Sequence, residues 1–216
     1  MNRIRRARIK LWSRQHWWAV FVVAAAIVPF VAFGVDRLDA DAQTRQQESA
    51  LWFGRMASVM FTDRCLNCHT VEDFPGQGDD HHRHANNVVR PASQRDDNSF
   101  GRGADAVPCF TCHASSNQGD GRQPGAPNWR MPPPDMGWDR ITTAAELCHH
   151  ILNPEFNGGR TPEQLVEHMT TDPLVQYAFD PGVGRKKPPL SQTDFHQAVR
   201  NWVATGHVCP DEVLPQ

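Results

Sequence analysis

The apolar positions of this chain fall into distinct patterns. From Trp17 to Val35 the sequence reads WWAVFVVAAAIVPFVAFGV, nineteen residues without a charge, about what a helix needs to cross the hydrocarbon core of a bilayer. From Glu48 to Asp63, Leu51, Trp52, Met56, Val59, Met60 and Phe61 recur near helical spacing and predict an amphipathic helix. Residues 70–141 are dominated by Gly, Pro, Asn, Asp and Arg, and predict neither strand nor helix. Three helices are expected after them, the first over 142–152. Thr161-Pro162-Glu163-Gln164 supplies an N-cap, a Pro at the first helical position and a Gln that completes a capping box, opening a second helix through about Thr171. Ser191-Gln192-Thr193-Asp194 opens the third, which runs through Phe195, Val199, Trp202 and Val203 to Gly206. The expected fold class is mainly α: a small domain with long irregular loops, preceded by one transmembrane helix.

Charge divides the chain further. Overall 22 Lys+Arg face 24 Asp+Glu, but Arg3, Arg5, Arg6, Arg8, Lys10 and Arg14 all precede the first acid, Asp36. Cations before the apolar span, with Asp36, Asp39 and Asp41 after it, set the N-terminus in the cytoplasm and the rest outside. The expected organisation is a cytoplasmic basic segment at 1–16, a single-pass inner-membrane anchor at 17–35, a polar tether at 36–47, and a periplasmic domain at 48–216. A cleaved secretory signal ending near Ala40-Asp41-Ala42 is the competing reading, but signal h-regions are shorter, about 7–15 residues. Either way residues 43–216 reach an oxidising compartment. Beyond residue 35 the balance is 16 basic against 24 acidic residues, which argues against nucleic acid as a partner. With 15 Gly and 17 Pro in 216 residues and 39% hydrophobic residues, such a domain buries little apolar surface for its ordering cost. A bound cofactor is the natural supplement.

Four of the six cysteines lie in two identical patterns, Cys65-Leu-Asn-Cys68-His69 and Cys109-Phe-Thr-Cys112-His113. This is the C-x-x-C-H signature of c-type haem attachment. Two thiols add across the two vinyl groups of one macrocycle, the two intervening residues set the sulfurs to reach both, and the adjacent His69 or His113 arrives under the iron as proximal ligand. Two haem c groups are therefore expected, held by Cys65, Cys68, Cys109 and Cys112. Two C-x-x-C pairs could instead close a four-thiolate zinc site or form two vicinal disulfides, but neither needs a His after each pair. Cys148 and Cys209 remain. A disulfide between them is the economical reading, with a free reactive thiol as the alternative.

Each iron also needs a decision on its far side, since Met raises the potential, a second His generally lowers it, and an open position invites peroxide or dioxygen chemistry. For the second haem, Met131 and Met136 lie in a Pro-rigid loop suited to presenting a thioether. His82 or His84, just after the first motif, could ligate either haem. His168 on the second C-terminal helix is a further candidate, as is Met60 or Met56 ahead of Cys65. Packing or solvation accounts for any one of these equally well.

On these residues the chain resembles a family of exported dihaem cytochromes c encoded beside periplasmic molybdenum hydroxylases, often labelled as an isoquinoline 1-oxidoreductase subunit or aldehyde dehydrogenase cytochrome subunit. The likeness covers about residues 61–210. It rests on both C-x-x-C-H motifs, Gly78-Asp79-Asp80 with His84, Gly101-Arg102-Gly103, Pro124 to Trp129, Asn157 to Arg160, Leu165 to His168, Asp172 to Val175 and Cys209-Pro210. The resemblance implies electron transfer rather than molybdenum chemistry within this polypeptide. It also implies a periplasmic redox partner, such as a molybdenum hydroxylase, and a respiratory acceptor. No catalytic residue is assigned. The alternative function is an enzyme of the dihaem peroxidase class, in which one haem keeps an open site.

Overall fold

The structure, a computed structural model, describes residues 40–90 and 109–212. The expected basic segment and anchor lie outside the described residues, as does Gly101-Arg102-Gly103. No helix among the described residues is long and apolar enough to cross a membrane. The chain divides into two compact units, Met1–Thr44 and Arg45–Gln216. The described part of the first, residues 40–44, is helical. The second contains both cysteine motifs.

This second unit is mainly helical. Helix α1 occupies residues 45–60 and, with 40–44 helical as well, the whole described part of the stretch read as tether, 40–47, is helical. Its buried stripe is Ser49, Phe53, Met56, Ala57, Val59 and Met60, the spacing of one broad face of a 3.6-residue helix. Leu51, expected on that face, is 72% exposed. A single turn, α2 (Asp63–Leu66), carries the chain into the first cysteine motif. Two-residue strands β1 (Gly76–Gln77) and β2 (His82–Arg83) pair antiparallel, Gly76 opposite Arg83 and Gln77 opposite His82. Otherwise the described loop residues up to 141 form only short 3₁₀ turns, at Ala85–Asn87, Cys109–Thr111 and Pro134–Met136.

The C-terminal helices are α3 (Ala144–Leu152), α4 (Pro162–Thr171), α5 (Pro173–Tyr177) and α6 (Gln192–Ala204). Their starts are chemically marked. Thr143 with Glu146, and Thr161 with Gln164, form complete capping boxes, while Asp172 and Ser191 each accept a backbone N–H of the helix they open. Such caps satisfy donors that a helix leaves unpaired at its first turn. Along α6, Phe195, Ala198, Val199 and Trp202 are buried, and Trp202 meets Phe53 of α1 with ring centroids 5.2 Å apart.

The C-terminus is pinned at two points. Ser49 Oγ donates to the Trp202 carbonyl and accepts from Val208 N–H, joining α1 to the end of α6. The expected disulfide is present, Cys148 to Cys209, with both residues fully buried. It ties α3 to the segment after α6.

Candidate haem-binding sites

The two C-x-x-C-H motifs fold alike although their flanking sequences differ. In each, the second Cys and the His donate backbone N–H bonds to the carbonyl of the first Cys, at 3.2 and 2.9 Å in both motifs. This turn is helical, and residues at i, i+3 and i+4 of a helical turn share a face. Two thiols and one imidazole are thereby gathered on the same side.

Each imidazole is then fixed by a remote segment. His69 Nδ1 lies 2.8 Å from the Met136 carbonyl, and His113 Nδ1 lies 2.7 Å from the Pro124 carbonyl. A carbonyl only accepts, so Nδ1 carries the proton in both rings and the lone pair sits on Nε2. This is the tautomer of a histidine that binds a metal through Nε2, with its other nitrogen oriented by a hydrogen bond. A glycine follows each accepting residue. A Cβ on Gly137 would run into the backbone of Thr70 and Val71, just after His69, and one on Gly125 would meet the carbonyls of Ala114 and Ser116, just after His113. A tryptophan completes each set: Trp138 stacks on His69 at 3.7 Å and Trp129 on His113 at 4.3 Å. Trp138 is itself held by donating Nε1–H to the Met60 carbonyl at 3.0 Å.

The loop after His69 is secured by Arg90 and Asp139. Arg90 is fully buried and donates to the carbonyls of Thr70 and Glu72, while its Nε and Nη1 have no partner among the described residues. Asp139 accepts from the Thr70 hydroxyl and the Val71 N–H.

Burial sets the protonation states. It pushes the Cys65 thiol up to about 12 and the Cys68 thiol up to about 11, with the neighbouring Cys68 and Cys109 respectively adding to the rise. Burial also drives His69 down to about 3 and lowers His113, a direction that favours the neutral ring a metal ligand needs.

Two cavities open from these turns. The first holds Cys65, Cys68 and His69 against an apolar wall that includes Val59, Ile151, Leu165, Phe179 and Phe195. Its volume is about 250 Å³, below the roughly 300–1,000 Å³ usual for ligand clefts, but Met60, Met131, Met136 and Met169 line it, and Met is the most adaptable apolar side chain. The second, about 910 Å³, holds Cys109, Cys112 and His113 together with His82 and His84. The two share a wall: Arg64, Cys68, Trp129, Arg130, Met131 and Tyr177 line both. Arg64 is neutralised there by Asp79 at 2.7 Å.

The candidate distal ligands separate between these cavities. His84 faces the second motif, its ring centroid 6.1 Å from that of His113. His82 lines the same cavity, but its Nδ1 is taken by Asp80 at 2.5 Å and its side chain is 55% exposed. Met136, expected at the second motif, sits at the first, because the loop 132–138 folds back onto α1 and places its carbonyl on His69. His168 also belongs to the first cavity. Asp172 holds its Nδ1 at 3.3 Å, and burial holds its pKa below the ordinary value. Met60 lines the first cavity and Met56 lines neither. Away from both motifs, His149 pairs with Asp211, His196 bonds Gln176, and His150 stacks on Phe156.

No three His, Cys, Asp or Glu side chains gather as a metal cluster among the described residues. The four motif cysteines are free, so neither a four-thiolate centre nor vicinal disulfides are assembled. The donor sets suit covalent haem at both motifs, paired thiols beside an oriented imidazole, and the second cavity has the volume of a ligand cleft where the first does not. The anchoring role of Pro124, Gly125, Gly137 and Trp138 escapes a reading of the sequence, even where Pro124 and Gly125 carry part of the resemblance, because they lie 11 to 69 positions from the histidines they serve and follow no common spacing. No family model, curated protein or solved structure matches this chain.

Proposed function

We propose that this protein carries two covalently attached haems and passes electrons between them. The observation that carries this is the duplicated arrangement: two identical cysteine–histidine turns, each with its imidazole Nδ1 donated to a backbone carbonyl, stacked on a tryptophan, and opening into cavities with a common wall. Cys65 and Cys68 hold one group and Cys109 and Cys112 the other by thioether bonds, with His69 and His113 as the proximal ligands. Each haem, when bound, supplies a one-electron iron couple.

The chain's own part is to position and to shield. The carbonyls of Met136 and Pro124 make the imidazoles better donors by holding Nδ1–H. The apolar lining of the first cavity excludes water, and loading it requires its methionines to yield. The shared wall of Cys68, Trp129 and Tyr177 keeps the two groups adjacent, which suits transfer from one to the other. Export through an N-terminal anchor at 17–35, a periplasmic dehydrogenase such as a molybdenum hydroxylase as electron donor, and a respiratory acceptor complete the proposal. The net acidity beyond residue 35 favours a basic docking surface on the partner.

The test is haem staining after denaturing electrophoresis, joined to a redox titration with a peroxide assay. Stain that survives denaturation, two reversible one-electron waves and no peroxide turnover are expected. Peroxide turnover would replace this function with the peroxidase reading, and an unstained band would remove both.

A further inference from the structure

We propose that His84 is the axial ligand opposite His113 at the second motif, so that this haem is held between two imidazoles and has no open coordination position. The proposal rests on the dihaem reading and names what closes its second site.

Geometry carries it. A metal–imidazole bond is about 2 Å, and a ring nitrogen lies about 1.1 Å from its ring centre, so two imidazoles trans across one metal place their centroids about 6 Å apart. The observed separation is 6.1 Å. Both rings line the same cavity, and both have Nδ1 occupied by a backbone carbonyl, Pro124 for His113 at 2.7 Å and Ala85 for His84 at 2.8 Å. Each therefore keeps its lone pair on Nε2, which has no hydrogen-bond partner among the described residues. An imidazole in the cavity purely for solvation has no need of the same tautomer and the same unspent nitrogen.

The backbone explains why His84 reaches this place. The hairpin of β1 and β2 springs from the first motif, where Gly76 N–H donates to the Asn67 carbonyl. Its far end is fixed on both sides of His84: His84 N–H donates to the Pro75 carbonyl, and Ala85 N–H donates to Gln77 Oε1. The segment after the first haem motif thus supplies the far-side ligand of the second. His82, on strand β2, is the control: it lines the cavity but is exposed and committed to Asp80.

Spectra of the matured, full-length protein decide the matter. Wild type is expected to show a six-coordinate low-spin signal of bis-imidazole type, and the reduced second haem should not bind carbon monoxide. In His84→Ala one haem of the two turns high-spin when oxidised and takes up carbon monoxide when reduced, added imidazole restores the low-spin signal, and staining still reports both haems. In His84→Met the low-spin state survives, but a sulfur-to-iron charge-transfer band appears and the potential of that haem rises. His82→Ala leaves all of these as in wild type. Unchanged spectra in His84→Ala, or loss of the low-spin signal in His82→Ala instead, would overturn the assignment while leaving the dihaem reading intact. If the His84 variants do not mature, a wild-type spectrum without any bis-imidazole species overturns it equally. A wild-type protein without thioether-bound haem would instead defeat the underlying reading.

Discussion

At the scale of single residues, the histidines do what they do because of where their second nitrogen goes. His69, His113 and His84 each give Nδ1–H to a carbonyl, and the glycines after Met136 and Pro124 let two of those carbonyls come near. Gly137 has φ −83° and ψ 145°, which any residue adopts, so its need is for space alone. Gly137→Ala would press a methyl group into the Thr70–Val71 backbone and should cost about 1–3 kcal/mol, the usual penalty for overpacking. Denaturant unfolding of the matured protein measures this, and a loss of less than a few tenths would show that the loop has room to move. A second prediction concerns pH. Burial first, and then the Arg200 charge, hold His196 below its ordinary 6.5, so the unfolded chain binds a proton that the folded chain resists. Its contribution is complete above about pH 6.5 and falls away on acidification from there. His196→Gln, which can still donate to Gln176, should flatten that part of the stability–pH curve, whereas a curve superimposable on wild type would assign the slope to other groups.

Among the elements, legibility followed the range of the interactions. The starts of α4 and α6 were readable because an N-cap is a local bond between residues three apart, and Thr161 with Gln164 and Ser191 with Asp194 make those bonds. The same logic marks Thr143 with Glu146 at α3. The phase of α1 was harder, since Leu51 and Phe53 are equally apolar and only the arrival of Trp202 decides which is buried. Helix α5 is five residues long, too short for a periodic pattern. It is defined by the Asp172 cap and by Gln176, which donates to the Met169 carbonyl and accepts from Gln192 and His196, tying α4, α5 and α6 together. The cysteine motifs were legible because covalent attachment fixes their spacing, while the carbonyl, glycine and tryptophan that serve each one come from distant chain and left no pattern. Thr161→Ala removes the acceptor at the start of α4 and should cost about 1 kcal/mol, within the range of roughly 0.5–2 for caps. Thermal unfolding checks it, and Thr161→Ser should recover most of the loss.

For the molecule as a whole, long loops are held by a few cross-links and, on the dihaem reading, by two macrocycles. The disulfide joins residues 61 apart in sequence, and in the chain-entropy model a loop of that size is worth about 4 kcal/mol. Replacing both Cys148 and Cys209 by Ala should lower the denaturant midpoint accordingly while leaving haem staining unchanged, because the pair lies outside both attachment motifs. A drop in staining together with stability would instead show that maturation depends on this link. Covalent haem also adds mass, so the intact mass of the protein, matured with a c-type haem attachment system and measured after denaturation, tests the dihaem reading most directly. The polypeptide plus two haems is predicted for wild type, and one haem fewer when Cys109 and Cys112 are both changed to Ala. A wild-type mass equal to the polypeptide alone would contradict it.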